Sequence, residues 1–211
     1  MSLTEANQLL RAGILEGVRV VVADGSEGAP VAAAVADACT GLGARVCVLT
    51  APDGGSPEPD EEAFEAAADQ ALAELEALDV LLIDGAALYA KHLPGGGRKA
   101  LVRCLDEAWS ITRAVATRGF IDRQSRGRIV YVAPAAAGAP AQETCHAEAA
   151  RAALENLART LSIEWARYGI NPVTIAPGAS TEPSELAALV AYLASPAGAY
   201  FSGCLLDLRG P

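Results

Sequence analysis

The sequence predicts a doubly wound α/β fold, a parallel sheet with helices on both faces, and three observations carry that expectation. Short β-branched or apolar runs alternate with longer alanine-rich stretches along the chain, the pattern of strands joined by crossover helices. The run at 18–23 (VRVVVA) is followed by a glycine-containing turn and a helical stretch, as an opening βα unit requires. No internal repeat or break in composition divides the 211 residues, so one domain spanning 1–211 is expected.

The elements follow in order. A helix reaches roughly residue 42, and 45–49 (RVCVL) is the second strand. A Pro-, Gly- and acid-rich loop, APDGGSPEPD, leads into an acidic amphipathic helix over 60–78, with Phe64, Ala67, Ala68, Ala71, Leu72 and Leu75 on one face. The next strand is 79–84 (DVLLID). A flexible spot at 94–97 precedes a helix over 98–118. Residues 128–133 (RIVYVA) form a strand, 143–168 a long helix ended by Gly169, and 171–176 a strand ending in Pro177-Gly178. A short helix over 184–194 and a last strand near 204–208 complete the sheet.

Composition narrows the function. Hydrophobic residues make up 52% and mean hydropathy is positive, but much of this is alanine. No run reaches the roughly 20 apolar residues of a membrane span. The opening MSLTEANQLLRAG lacks a basic segment followed by an apolar one, so no secretion signal is expected. A formal charge of −10 argues against nucleic acid and anionic membranes as partners. Five scattered cysteines with no CxxC pair read as reduced thiols packed as small apolar residues, and the cytoplasm is the expected location. Two histidines and no cysteine pair support no metal site.

Five stretches, LEGVRVVVADGSEG, LDVLLIDGA, GRIVYVAP, RYGINPVTIAPG and AYLASPAGAYFSGCLLDLRG, resemble in order and spacing the short-chain dehydrogenase/reductase family. The resemblance covers almost the whole chain. It implies a Rossmann-like sheet, NAD or NADP as the family's cofactor, and an Asn, Ser, Tyr, Lys tetrad. It also exposes departures. The family's Thr-Gly-x-x-x-Gly-x-Gly loop is here Ala23-Asp24-Gly25-Ser26-Glu27-Gly28-Ala29-Pro30, so only Gly28 stays in register. Gly25, Asp24 and Pro30 are the rest of a vestigial loop. A like-charge pair at about 4 Å costs on the order of 4 kcal/mol at an effective dielectric of 20, against roughly 8 kcal/mol for micromolar binding. Asp24 and Glu27 beside a pyrophosphate therefore argue that no cofactor is held.

Tetrad positions carried over from the resemblance fall on Cys104 (Asn), Pro134 (Ser), Ala147 (Tyr) and Arg151 (Lys). The separation from 134 to 147 is the family's usual serine-to-tyrosine spacing. Neither proline nor alanine has a proton to give, and arginine stays charged. The acidic helix after the second strand leads directly into DVLLID, which shortens the second half-unit by one strand and one helix. Asp84 replaces part of the family's Asn-Asn-Ala-Gly turn. Five residues between Pro177-Gly178 and the last helix leave no room for a substrate lid.

His146 beside Ala147 is the one substitute acid to consider, although a helix turns its side chain about 100° away. His92 carries no signal. Cys104 and Cys145 lack a basic partner at recognisable spacing. The expectation is a catalytically inactive homologue, serving as a structural subunit for a catalytically intact relative or as a homo-oligomer. Its contacts would run through the helices at 98–118 and 143–168, with Ala147, Ala150, Ala153 and Leu154 as a close-approach face and Trp109 and Trp165 as anchors, although any such helix face must also pack in part on its own sheet. The partner's substrates would be hydroxyacyl thioesters or other secondary alcohols. The alternatives are a ligand-sensing module, and an oxidoreductase with chemistry rebuilt on His146 or Arg151.

Overall fold

The computed structural model of the chain describes residues 10–24, 29–50, 60–135 and 141–209, without the side chains of 24 and 141–143. Six parallel strands form one sheet: β1 (Arg19–Asp24), β2 (Arg45–Thr50), β3 (Val80–Asp84), β4 (Gly127–Val132), β5 (Ile170–Ala176) and β6 (Leu205–Asp207). Their order is β2-β1-β3-β4-β5-β6. The helices are α1 (Pro30–Gly41), α2 (Glu61–Leu75), α3 (Gly85–His92), α4 (Gly97–Ala116), α5 (Ala141–Glu164) and α6 (Pro183–Ala194).

Every residue of β3 is buried, as a central parallel strand covered on both faces must be. Strand alternation splits the core in two. Val21, Leu81, Ile83, Ile129 and Tyr131 point toward α2, α4 and α5. Val20, Val22, Leu82, Val130, Val173 and Ile175 point toward α1 and α6. The phenol of Tyr131, fully buried, is 2.9 Å from the Thr112 hydroxyl, which donates to the Ala108 carbonyl. Burial alone would leave that polar group unsatisfied.

The shortened second half-unit is present as expected. α2 runs from edge strand β2 directly to β3, crossing to the other face of the sheet. The steps β3–β4 and β4–β5 carry α4 and α5 on that face. The step β5–β6 proceeds in the same direction with α6 on the opposite face, so its crossover has the opposite hand. α6 is fixed there by packing against α1.

Several boundaries differ from the sequence reading. Residues 94–97 do not form a loose connection: α3 occupies 85–92 and a 3-10 turn follows at Leu93–Gly95. Asp84 caps α3 by accepting a hydrogen bond from the Ala87 amide at 2.9 Å, and Lys91 and His92 lie in its last turn, where the helix dipole favours cations. α4 closes in a π-helical turn at Thr117–Ile121. α5 stops at Glu164. A 3-10 turn at Ala166–Tyr168 follows it, and Gly169 then takes the left-handed conformation (φ 71°) that ends the segment.

Candidate functional site

Open α/β sheets place ligands outside the C-terminal ends of their strands, where the strand order reverses. Here that point lies between β1 and β3. Pro30 sits in the first turn of α1, where its missing N–H costs nothing, and no side chain caps that end. Gly25, Glu27 and Gly28, like the Asp24 side chain, lie outside the described residues. The expectation of two carboxylates at a pyrophosphate loop therefore rests on the sequence.

At the end of β3, Asp84 is 1% exposed and serves as the α3 cap, a structural role in place of the cleft carboxylate expected. Gly85 packs so closely that a Cβ there would come within 2.7 Å of Leu154 Cδ1 and 2.8 Å of the Val132 carbonyl oxygen. The strand end and α5 meet with no space between them.

The four tetrad positions are interior or committed. Cys104 on α4 is fully buried and its thiol donates to the Gly85 carbonyl at 3.3 Å. Burial, helped by the charges of Glu107 and Asp84, pushes that thiol up to about 12, so it is neither an acid nor a nucleophile near neutrality. Pro134, just beyond β4, is buried. Ala147 on α5 is 3% exposed and belongs to the core beside Ala150 and Leu154. The Arg151 guanidinium is paired with Glu148 at 2.7 Å and Glu155 at 3.7 Å. Glu148 also meets Arg209, beyond β6, at 3.4 Å. These residues do not fit a nicotinamide ribose held as the resemblance implies. Two of them have no titratable group, and the cation is taken by carboxylates.

His146 turns away from Ala147 and lies against the start of α4, where a Cβ on Gly97 would come within 2.8 Å of its Nδ1. Cys145 is exposed. Of the two settings weighed for the alanine face, Ala147, Ala150 and Leu154 pack on the chain's own sheet. Alanine permits close approach to any surface, and the nearest apolar one is the sheet. Trp109, expected as an anchor, is 41% exposed and stacks on the partly buried Trp165 at 6.4 Å, with Val102 and Ile163 exposed along the same two helices.

Sequence reasoning missed one polar cluster. Glu107 on α4 is fully buried. Its Oε1 accepts from Arg103 Nη2 at 2.9 Å and lies 2.7 Å from His92 Nε2. Its Oε2 is 3.8 Å from Lys91 Nζ and has no hydrogen-bond partner among the described residues. The one carboxylate thus neutralises permanent cations from two helices and orients an imidazole. The i, i+4 spacing of Arg103 and Glu107 was visible in the sequence. The contribution of His92 was not, because the sequence reading places no helix at 85–92. Among the described residues, no group of three or more His, Cys, Asp or Glu is placed to hold a metal, and no described helix is long and apolar enough to cross a membrane.

The likeness to known proteins extends over most of the chain. The chain is 27% identical over 165 residues to a probable 2,4-dienoyl-CoA reductase of Bacillus subtilis (strain 168), a match spanning 63% of this chain and 65% of that protein's length. Among solved structures, a citronellol catabolism dehydrogenase (AtuB) of Pseudomonas aeruginosa PAO1 superposes with a TM-score of 0.73 at 24% identity, covering 95% of this chain and 96% of its own. A short chain dehydrogenase from Mycobacterium smegmatis gives 0.75 at 22% identity, over 99% and 97%. A 3-ketoacyl-(acyl-carrier-protein) reductase from Brucella melitensis, complexed with NADH, gives 0.73 at 19% identity, over 93% and 98%. Each of these structural likenesses concerns the fold. The short chain dehydrogenase family model matches residues 7–188, and with the parallel sheet and its order this makes the chain a member of the short-chain dehydrogenase/reductase family of oxidoreductases.

Proposed function

We propose that this chain is a family member retained for its surfaces. In this reading residues 1–211 form one cytoplasmic domain that acts as a non-catalytic structural subunit of an NAD(P)-dependent dehydrogenase or reductase, and a catalytically intact relative supplies the chemistry. One observation carries the reading: the tetrad positions Cys104, Pro134 and Ala147 are core residues, and Arg151 is neutralised by two carboxylates. General acid–base catalysis worth roughly 10²–10⁴-fold needs a titratable group where Ala147 stands. Exposed Trp109, stacked on partly buried Trp165, with Val102 and Ile163, is the surface on offer. Large aromatic and aliphatic anchors of this kind dominate interface energetics. The relatives' names, a dienoyl-CoA reductase and a ketoacyl-(acyl-carrier-protein) reductase, favour thioesters as the partner's substrates.

The experiment is co-expression with an intact family member encoded beside it, followed by size-exclusion chromatography. The expected result is co-elution that Trp109→Ser disrupts, with no NAD(P)H oxidation by this chain alone. Elution apart from every such relative, together with turnover by the isolated chain, would overturn the proposal.

The pair of part-buried His92 and buried Glu107 favours a second reading, an oxidoreductase with rebuilt chemistry. It requires turnover by the isolated chain that His92→Gln removes. Micromolar NAD(H) or NADP(H) affinity in calorimetry without turnover would instead point to a ligand-sensing module.

A further inference from the structure

A recess of about 460 Å³ opens at the other edge of the sheet, among the N-terminal ends of the strands. Its walls include Val18 before β1, Val80 at the start of β3, Arg128 in β4 and Asn171 in β5, and Ser195 after α6 closes one side. Arg128 is 9% exposed. Its Nη1 donates to the Ser195 carbonyl at 3.3 Å, while its Nε is buried with no hydrogen-bond partner. Among the described residues no carboxylate pairs with it, and burial lowers its affinity for the proton.

We infer that this recess is an oxyanion site, in which Arg128 holds the carboxylate or phosphate group of a small molecule. The geometry of guanidinium is the reason. Its N–H groups lie in one plane and share one delocalised charge, which suits it to carboxylate or phosphate oxygens. The bond to Ser195 uses Nη1 and fixes that plane, and Nε lies below the exposed surface, so an anion meets the guanidinium through the part of it that lines the recess.

The surrounding charges favour an anion. Arg126 also lines the recess, and its stem lies against Gly169, where a Cβ would come within 2.8 Å of Arg126 Cγ. Asp79 faces the recess, but its carboxylate already accepts the Arg19 Nε at 2.8 Å, the Arg19 Nη2 at 3.1 Å and the Arg19 backbone N–H at 2.9 Å. Glu16 is the other lining carboxylate, and it is exposed. Two arginines therefore face one uncommitted carboxylate in a protein whose formal charge is −10. The recess owes nothing to the tetrad positions at the opposite strand ends, so it does not depend on the proposed loss of catalysis.

The test is titration of the full chain with inorganic phosphate and, separately, with acetate, each against sodium chloride at matched ionic strength. The readouts are calorimetry and the Arg128 Nε–H resonance in a ¹⁵N spectrum. One anion or both should bind, move that resonance and lose at least tenfold in affinity in Arg128→Gln. Arg126→Ala should weaken binding less. The arm that binds more tightly distinguishes a phosphate-bearing from a carboxylate-bearing ligand. If the resonance stays fixed with both anions, the site is refuted. Equal binding to wild type and Arg128→Gln refutes it as well. The wild-type resonance decides the matter even if the variant fails to fold.

Discussion

The two ends of the sheet are built on opposite principles. At the C-terminal ends of β3 and β4, space is consumed: Gly85 lies against Val132 and Leu154, Ala147 and Cys104 are core residues, and the buried Glu107 is surrounded by cations. At the N-terminal ends, a recess stays open and a buried arginine keeps its Nε without a hydrogen-bond partner among the described residues. Among the described residues, the first end is packed and charge-neutralised, and the second keeps a recess faced by two arginines. Conservative changes should therefore be costly at the first and nearly free at the second.

The largest expected effect is at Glu107. Glu107→Ala removes the buried carboxylate that Arg103, Lys91 and His92 share, and breaking such a pair from one side costs roughly 3–5 kcal/mol. Urea denaturation measures it, and a loss below about 1 kcal/mol would mean the cluster is solvated.

Gly85→Ala comes next. Its Cβ would stand 2.7 Å from Leu154 Cδ1 and 2.8 Å from the Val132 carbonyl, an overpacking that costs about 1–3 kcal/mol. The Leu154→Ala background should recover part of that loss by relieving the side-chain clash. The backbone contact stays, so full recovery would show that the strand end yields.

A pH effect of about 1 kcal/mol per thiol at pH 10 follows from the buried cysteines. Burial pushes Cys39 and Cys104 from 9.0 to about 12. The folded chain holds protons that the unfolded chain releases above pH 9. Stability is therefore full below pH 9 and falls as pH rises toward 12. Denaturation at pH 8 and pH 10 in wild type and Cys104→Ala checks it: the variant should lose less between the two. Mass spectrometry of native protein treated with iodoacetamide at pH 8 should find Cys145, which is exposed, alkylated well before Cys104.

The smallest effect is at the hollow end. Arg128→Met gives up one hydrogen bond and one desolvated charge, which nearly offset, so without added anion its stability should stay within about 1 kcal/mol of wild type. A loss of several kcal/mol would make Arg128 a structural strut and erase the contrast between the two ends.

Much of the packed end was legible in the sequence, because strand runs and family spacing fix which residues come to the ends of β3 and β4. What was missed there has a local cause. Gly85 suggested a turn, yet Asp84 before it and Lys91-His92 after it are the capping and dipole signals of a helix. Reading them would have brought His92 toward Glu107. The alanine stripe left a different question open: a run of alanines says that something approaches closely, not whether it is a partner or the chain's own sheet. Nothing in the sequence marked the hollow end. Arg128 reads as an ordinary first residue of a strand, and its isolation depends on Ser195, 67 residues away.

By itself the sequence determined the parallel sheet, the missing strand and helix after β2, the short link from β5 to α6 and the residue types at the tetrad positions. The sheet and the short link follow from periodicity and spacing along the chain, and the missing strand and helix and the tetrad positions follow from the family resemblance. Only the tertiary structure decided that Asp84 is a cap, that Arg151 is spent on Glu148 and Glu155, that Trp109 and Trp165 stack at the surface, and that Arg128 is buried without a carboxylate. Those outcomes depend on which distant groups share a few ångströms of low-dielectric space, and charge and hydrogen bonding are decided there.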